Sequence, residues 1–184
     1  YGLASIGSNK FIWVYGRGNQ GYARIITVDG ETATAGAENN WDNHVKYCRV
    51  VYDTANSKAV VVYADGDASN KATARVLSIS GDTITAGSAC LVYPYNPFAD
   101  ITAYYDAENG KVIAGGICQG GSNYPFLYSG EVSGTTILFG NDATNNTGYL
   151  TVESTATTGT SAVYATSNKG VIHYIAGTTT KAAV

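Results

Sequence analysis

In 184 residues the sequence has no methionine, two histidines, three prolines and three cysteines, and only 14% of its residues are charged. An average soluble domain carries ~25%. Eleven Lys and Arg stand against fourteen Asp and Glu, a net charge of −3. That leaves no basic face to meet phosphates, so nucleic acid is not an expected partner. No apolar run approaches the ~18 residues of a membrane-spanning helix, and no membrane insertion is expected. The opening residues lack a basic segment followed by an apolar one, so no secretory leader is read there. Cys48, Cys90 and Cys118 are odd in number and widely spaced, which fits neither a disulfide framework nor a zinc motif. Only His44 and His173 are available as imidazole bases, and no G-x-S-x-G or H-E-x-x-H stretch occurs. The chain is therefore not expected to be an enzyme, and no catalytic residue, metal ligand or cofactor is assigned.

What the sequence has in quantity is Gly (22), Thr (21) and Tyr (15), a mixture that favours strands joined by tight turns. It also repeats itself. Residues 22–36 (YARIITVDGETATAG) align without gaps on 73–87 (TARVLSISGDTITAG), an offset of 51, with Arg24 falling on Arg75. Residues 131–140 are a third copy. Upstream, 52–66 (YDTANSKAVVVYADG) match 105–119 (YDAENGKVIAGGICQ) at an offset of 53, residues 8–18 match loosely with Tyr15 on Tyr63, and 164–177 are a fourth copy. Two halves recurring at one spacing indicate a repeat architecture.

Each unit reads as four short strands. In the second they are 48–52, 58–64, 73–79 and 83–92, the last bulged near Gly87. The run Ala59-Val60-Val61-Val62-Tyr63 is apolar on both faces, as in a sheet covered on both sides. The expected fold is all-β: a β-propeller-like array of four-stranded antiparallel blades with a ~50-residue repeat and an incomplete last blade. One repeat domain spans 1–184, with repeats at about 1–43, 44–99, 100–149 and 150–184. The last repeat stops inside its third strand, which together with the missing methionine suggests a longer parent chain.

In such a meander, the loop between strands two and three and the link to the next sheet share one end. That end carries the longer segments 17–21, 39–44, 65–71, 93–98, 119–125 and 141–148, and loops on rigid scaffolds tend to carry function. Trp41, Tyr93, Tyr95, Asn96, Phe98, Asn123 and Tyr124 are the candidate ligand-binding residues: aromatic rings beside amides suit hydroxylated ligands such as sugars. The competing reading is that these aromatics wedge neighbouring blades together.

Other motifs weigh little. Residues 16–21 match G-x-G-x-x-G, but a strand follows where a dinucleotide site needs a helix. Residues 65–70 (DGDASN) resemble the start of a calcium loop, yet the twelfth position is Val76, not Glu. Asp53 and Asp106 are repeat-equivalent, as are Arg24 and Arg75, which points to roles in the fold and weakens a sialidase-like arginine cluster. Residues 27–32 sit where sialidase propellers carry their Asp-box but lack its pattern. Cys48 and Cys90, three strand spacings or about 14 Å apart, are too distant for a disulfide.

Tyr52-Asp53, Lys58, Val60 to Tyr63, Asp65-Gly66, Ala74, Val76, Ile79-Ser80-Gly81, Ile84 and Gly87 spell a repeat pattern. It resembles the tandem repeats of virion proteins of tailed phages, of tail-fibre or head-decoration type. Repeat three departs from it, with Gly115-Gly116 for Val62-Tyr63. The resemblance implies a virion or extracellular structural and adhesion module. Its partners would be neighbouring copies, other virion proteins or a host-surface glycan. The alternatives are a glycan-processing propeller enzyme and a bacterial surface or filament protein.

Overall fold

The computed structural model describes residues 1–93, 98–118, 125–140, 149–151, 157–166, 169–176 and 179–183. Among them there is no helix, and the strands form four antiparallel sheets in chain order. Sheet 1 holds β1 (Gly2–Gly7), β2 (Lys10–Arg17), β3 (Gln20–Asp29), β4 (Thr32–Ala35) and β5 (Asn39–Asp42). Sheet 2 holds β6 (Val45–Asp53), β7 (Lys58–Asp65), β8 (Lys71–Ser80), β9 (Thr83–Ala86) and β10 (Cys90–Leu91). Sheet 3 holds β11 (Phe98–Asp106), β12 (Lys111–Cys118), β13 (Pro125–Ser133), β14 (Thr136–Phe139) and β15 (Tyr149–Thr151). Sheet 4 holds β16 (Thr157–Thr166), β17 (Lys169–Ala176) and β18 (Thr179–Ala183).

The fourth strand expected over 83–92 is split. β9 and β10 both pair with β8, as β4 and β5 both pair with β3, and β14 and β15 with β13. The break is a docking notch. A Cβ on Gly87 would lie 1.8 Å from the carbonyl oxygen of Thr135, in the β13–β14 turn of the next sheet. A Cβ on Gly36 would lie 2.7 Å from Asp82 Cγ in the β8–β9 turn. In sheets 1 and 2 the fourth strand therefore opens to admit the hairpin of the sheet that follows. Asn39 fastens the first notch: its Nδ2 donates to the Asp82 carbonyl at 3.0 Å and its Oδ1 accepts the Ile84 N–H at 3.1 Å.

Sheet 2 is covered on both sides, which explains the doubly apolar β7. Ala59, Val61 and Tyr63 pack with Ile12, Val14, Ala23 and Ile25 of sheet 1. Val60, Val62 and Ala64 pack with Val112, Ala114 and Tyr128 of sheet 3. All six β7 residues are fully buried, and burying each valine contributes about 1.5–3 kcal/mol. The first strand of each sheet lies on the first two strands of the sheet before: β6 on β1 and β2, β11 on β6 and β7, β16 on β11 and β12. At the opposite end from the long loops, Asp53 accepts the Asn56 backbone N–H at 3.0 Å and its side-chain Nδ2 at 2.8 Å. Asp106 does the same for Asn109, at 3.3 and 2.6 Å. The two aspartates thus serve turns. The 17–21 segment is shorter than a loop: Arg17 pairs with Gln20 across a two-residue turn whose Gly18 and Asn19 have φ of 60° and 71°.

Candidate functional site

Two kinds of polar structure occur where sheets meet, one structural and one open to solvent. Arg24, Arg75 and Tyr128 occupy one register position on the third strands, opposite Trp13, Val61 and Ala114. Tyr15, Tyr63 and Gly116 share another on the second strands. Between sheets 1 and 2, the Tyr63 hydroxyl donates to Asp42 Oδ2 at 2.5 Å and Arg75 Nε donates to the same oxygen at 2.7 Å. Arg75 Nη1 also donates to the Gly87 carbonyl at 2.8 Å. Burial alone would push the Asp42 carboxyl up. The Tyr63 and Arg75 hydrogen bonds and the Arg75 charge outweigh it and hold the carboxyl below its ordinary value. Burial, with Asp42 adding to it, pushes the Tyr63 phenol well up. Within sheet 1 the set recurs in cis: the Tyr15 hydroxyl donates to Glu38, and Arg24 Nη2 lies 3.3 Å from the same carboxylate. These arginines serve the fold.

Asp42, Asp65 and Asp67 bring carboxylate oxygens within 4.8 Å of one another at the loop-rich end. Burial pushes the Asp65 carboxyl up, against the opposing hydrogen bond from the Asp67 N–H. Each carboxylate is already engaged: Asp42 by Arg75 and Tyr63, Asp65 by the Asp67 N–H at 2.9 Å, Asp67 by His44 Nδ1 at 2.8 Å. Asp42 and Asp65 are also buried, so a substrate cannot reach between them as it does between the paired carboxylates of a glycosidase. Val76, where a calcium loop has its closing glutamate, lies inside β8.

Trp41 and Tyr93 lie beneath the surface, at different junctions. Trp41 is 4% exposed; a Cβ on Gly21 would sit 2.6 Å from its ring, and it meets Tyr63 edge-on with centroids 5.0 Å apart. Tyr93 is 8% exposed and stacks on Phe126 at 5.7 Å. In this structure both wedge sheets together. Phe98 opens β11, but its side chain, like Tyr95, Asn96, Asn123 and Tyr124, lies outside the described residues, as does the side chain of Cys118. Cys48 and Cys90 are free thiols.

Among the described residues, an open cleft lies between sheets 1 and 2. It has a volume of about 370 Å³ and is lined by Tyr1, Gly16, Gly18, Asn19, Val45, Lys46, Tyr47 and Cys48. Its shape comes from a bulge in β6. Lys46 pairs with Ala64 and Arg49 with Val62, which leaves one residue too many on β6. Tyr47 takes the strain, with φ of 51°, and its ring is turned outward. Non-glycine residues in this region cost about 1–3 kcal/mol and concentrate at functional sites, and bulges re-aim side chains beside them. Asp100 in β11 repeats the feature, with φ of 49° between Ala99 and Thr102. The Val45 N–H donates to the Asn19 carbonyl at 2.6 Å, tying the β2–β3 turn to the cleft floor. Tyr1 and Tyr47 offer ring faces, while Asn19 and Lys46 offer polar groups, the set that grips a sugar by stacking and hydrogen bonding. Sequence reasoning missed Tyr1, Asn19, Lys46 and Tyr47. One signal was available: the apolar spacing slips from three at Val45 and Cys48 to two at Cys48 and Val50, as an inserted residue requires.

No family model matches the chain, and no curated protein does. Among solved structures it is similar to the SapL1 lectin, whose structure is a complex with alpha methyl fucoside. The two share 15% identity and a TM-score of 0.51, over 96% of this chain and 56% of that one. The chain thus spans little more than half of that lectin, and at this identity the likeness speaks to the fold alone.

Proposed function

We propose that this chain is a carbohydrate-binding module of propeller-like build, in which stacked sheets hold the cleft between sheets 1 and 2 open to a mono- or disaccharide. The observation that carries the reading is that cleft: two tyrosines at its edge, one on a strained bulge, beside Asn19 and Lys46. The lectin-like fold supports it. Asp42, Asp65 and Glu38 being held in hydrogen bonds or ion pairs favours binding over glycan processing. The resemblance of the repeat pattern to virion proteins of tailed phages supports a reading in which such a module sits on a virion or another extracellular surface and would join neighbouring subunits to a host glycan. A glycan array read with the labelled chain tests the function, with α-methyl fucoside as the first soluble competitor. Binding that falls at least tenfold in Tyr47→Ala, about 1.4 kcal/mol, is the expected result. An array with no bound glycan refutes the reading.

A further inference from the structure

The cleft between sheets 1 and 2 has a sign. Lys46 is the charged side chain of its lining, and no carboxylate belongs to that lining. A second cation stands beside it. Arg49 Nη1 donates to the carbonyls of Tyr1 and Cys48, both on the cleft wall, at 3.2 and 3.0 Å. Among the described residues neither cation makes an ion pair. The acids of the adjoining segments are taken: Glu38 by Arg17 and Arg24, Asp42 by Arg75, Asp67 by His44. Asp65 is buried and accepts the Asp67 N–H. The chain as a whole is acidic, with a net charge of −3, so these two cations are not a share of a generally basic surface. The repeat sharpens the point. β11 has the same bulge as β6 at an offset of 53, with Ala99 in the place of Lys46, Asp100 in that of Tyr47 and Thr102 in that of Arg49. The bulge itself therefore does not need the cations. Residues that serve the fold recur between repeats, as Arg24 and Arg75 do, and Lys46 and Arg49 do not.

We propose that the ligand of this cleft is an anionic sugar, whose carboxylate or sulfate is gripped by Lys46 and Arg49 while its ring lies on Tyr47. This rests on the carbohydrate-binding reading above and adds the charge of the ligand. A guanidinium offers paired N–H donors that match two oxygens of such a group, and an ammonium beside it adds a point charge. Hydrogen bonds to an ionised acceptor are about twice as strong as neutral ones. The anion, rather than the hydroxyls common to all sugars, then sets the selectivity.

NMR titrations of the intact chain at matched ionic strength test this, with the methyl glycosides of glucuronate, glucose, galacturonate and galactose, and with glucose 6-sulfate. An acidic sugar should bind at least tenfold more tightly than its neutral counterpart, and the stronger of glucuronide and 6-sulfate tells carboxylate from sulfate. That preference should shrink as sodium chloride rises from about 0.05 to about 0.5 M, because salt screens the ion contact. It should fall below about threefold, on the scale where tenfold is 1.4 kcal/mol, in Lys46→Gln and in Arg49→Gln. Lys46 is exposed on β6, so its variant stands should the loss of Arg49 disturb the fold. Equal binding of acidic and neutral sugars overturns this inference and leaves the carbohydrate-binding reading in place. A preference that survives both substitutions also overturns it, since the anion is then held elsewhere. No binding by any of these sugars counts against both.

Discussion

The junctions between sheets 1 and 2 and between sheets 2 and 3 solve one packing problem with opposite chemistry. Between sheets 1 and 2, a carboxylate, a phenol and a guanidinium meet at the long-loop end: Asp42, Tyr63 and Arg75. Between sheets 2 and 3, the same register positions hold Gly116 and Tyr128. Tyr93, two residues past Leu91 as Asp42 is two past its counterpart Asn40, fills the space by stacking on Phe126 and lying 5.9 Å from Tyr128. Where Tyr63 is replaced by Gly116, the backbone also closes in: a Cβ on the adjacent Gly115 would lie 1.9 Å from the Phe126 carbonyl oxygen. A repeat therefore conserves geometry rather than residue type. An ion pair can be exchanged for an aromatic stack so long as no charge is left buried without its partner.

This contrast predicts how each junction breaks. Asp42→Ala leaves Arg75 without its buried carboxylate and should cost about 3–5 kcal/mol in urea unfolding. Asp42→Leu combined with Arg75→Met should cost clearly less than the single change, since an apolar replacement strands no charge. If the double variant is the worse of the two, the polar junction is not the cost-neutral exchange described here. At the other junction, Tyr93→Ala should cost about 3 kcal/mol, a loss that does not vary between pH 3 and pH 7 because the change removes no carboxylate or imidazole.

The notches give a finer test. Gly87→Ala drives a methyl into the Thr135 backbone and should cost about 2–3 kcal/mol. Gly36→Ala meets only the Asp82 side chain, which can swing aside, and should cost under about 1 kcal/mol. Equal melting temperatures for the two variants would contradict the notch geometry.

The smallest effect is that of pH. The Asp42 carboxyl is held low, so its stabilisation is complete above the unfolded value of about 3.9 and fades as pH falls through the lower folded value. Asp65 has the opposite sign: its raised folded value favours the fold at acid pH, and that contribution is lost as pH rises through it. Hydrogen exchange below pH 4 should loosen β7 and β8 more in the wild type than in an Asp42→Asn variant, which has already lost the titrating group.

The strands were readable because the repeat supplies several noisy copies of one pattern, and because β7, apolar on both faces, demands sheets on both sides. Tyr15, Tyr63, Arg24 and Arg75 could be matched by alignment, but their carboxylates could not. Glu38 and Asp42 lie outside the aligned blocks, Asp42 at the end of β5, and Asp42 reaches across to the next sheet. Trp41 and Tyr93 illustrate the harder limit. An aromatic beside Asn or Asp looks the same in sequence whether it faces solvent or wedges two sheets, because its burial is decided by a partner in the next sheet: Tyr63 for Trp41 and Phe126 for Tyr93. The cleft was hidden for a related reason: it is made by one surplus residue in β6, and a bulge changes where Tyr47 points without changing the local composition.

The most direct test of the binding account is a backbone amide NMR titration of the intact chain with a panel of methyl glycosides. The account predicts saturable shifts clustered at Gly16, Gly18, Asn19 and residues 45–48, abolished by Tyr47→Ala, with sheet 3 unmoved. Shifts confined to other segments, or no shifts with any glycoside at millimolar concentration, would contradict it.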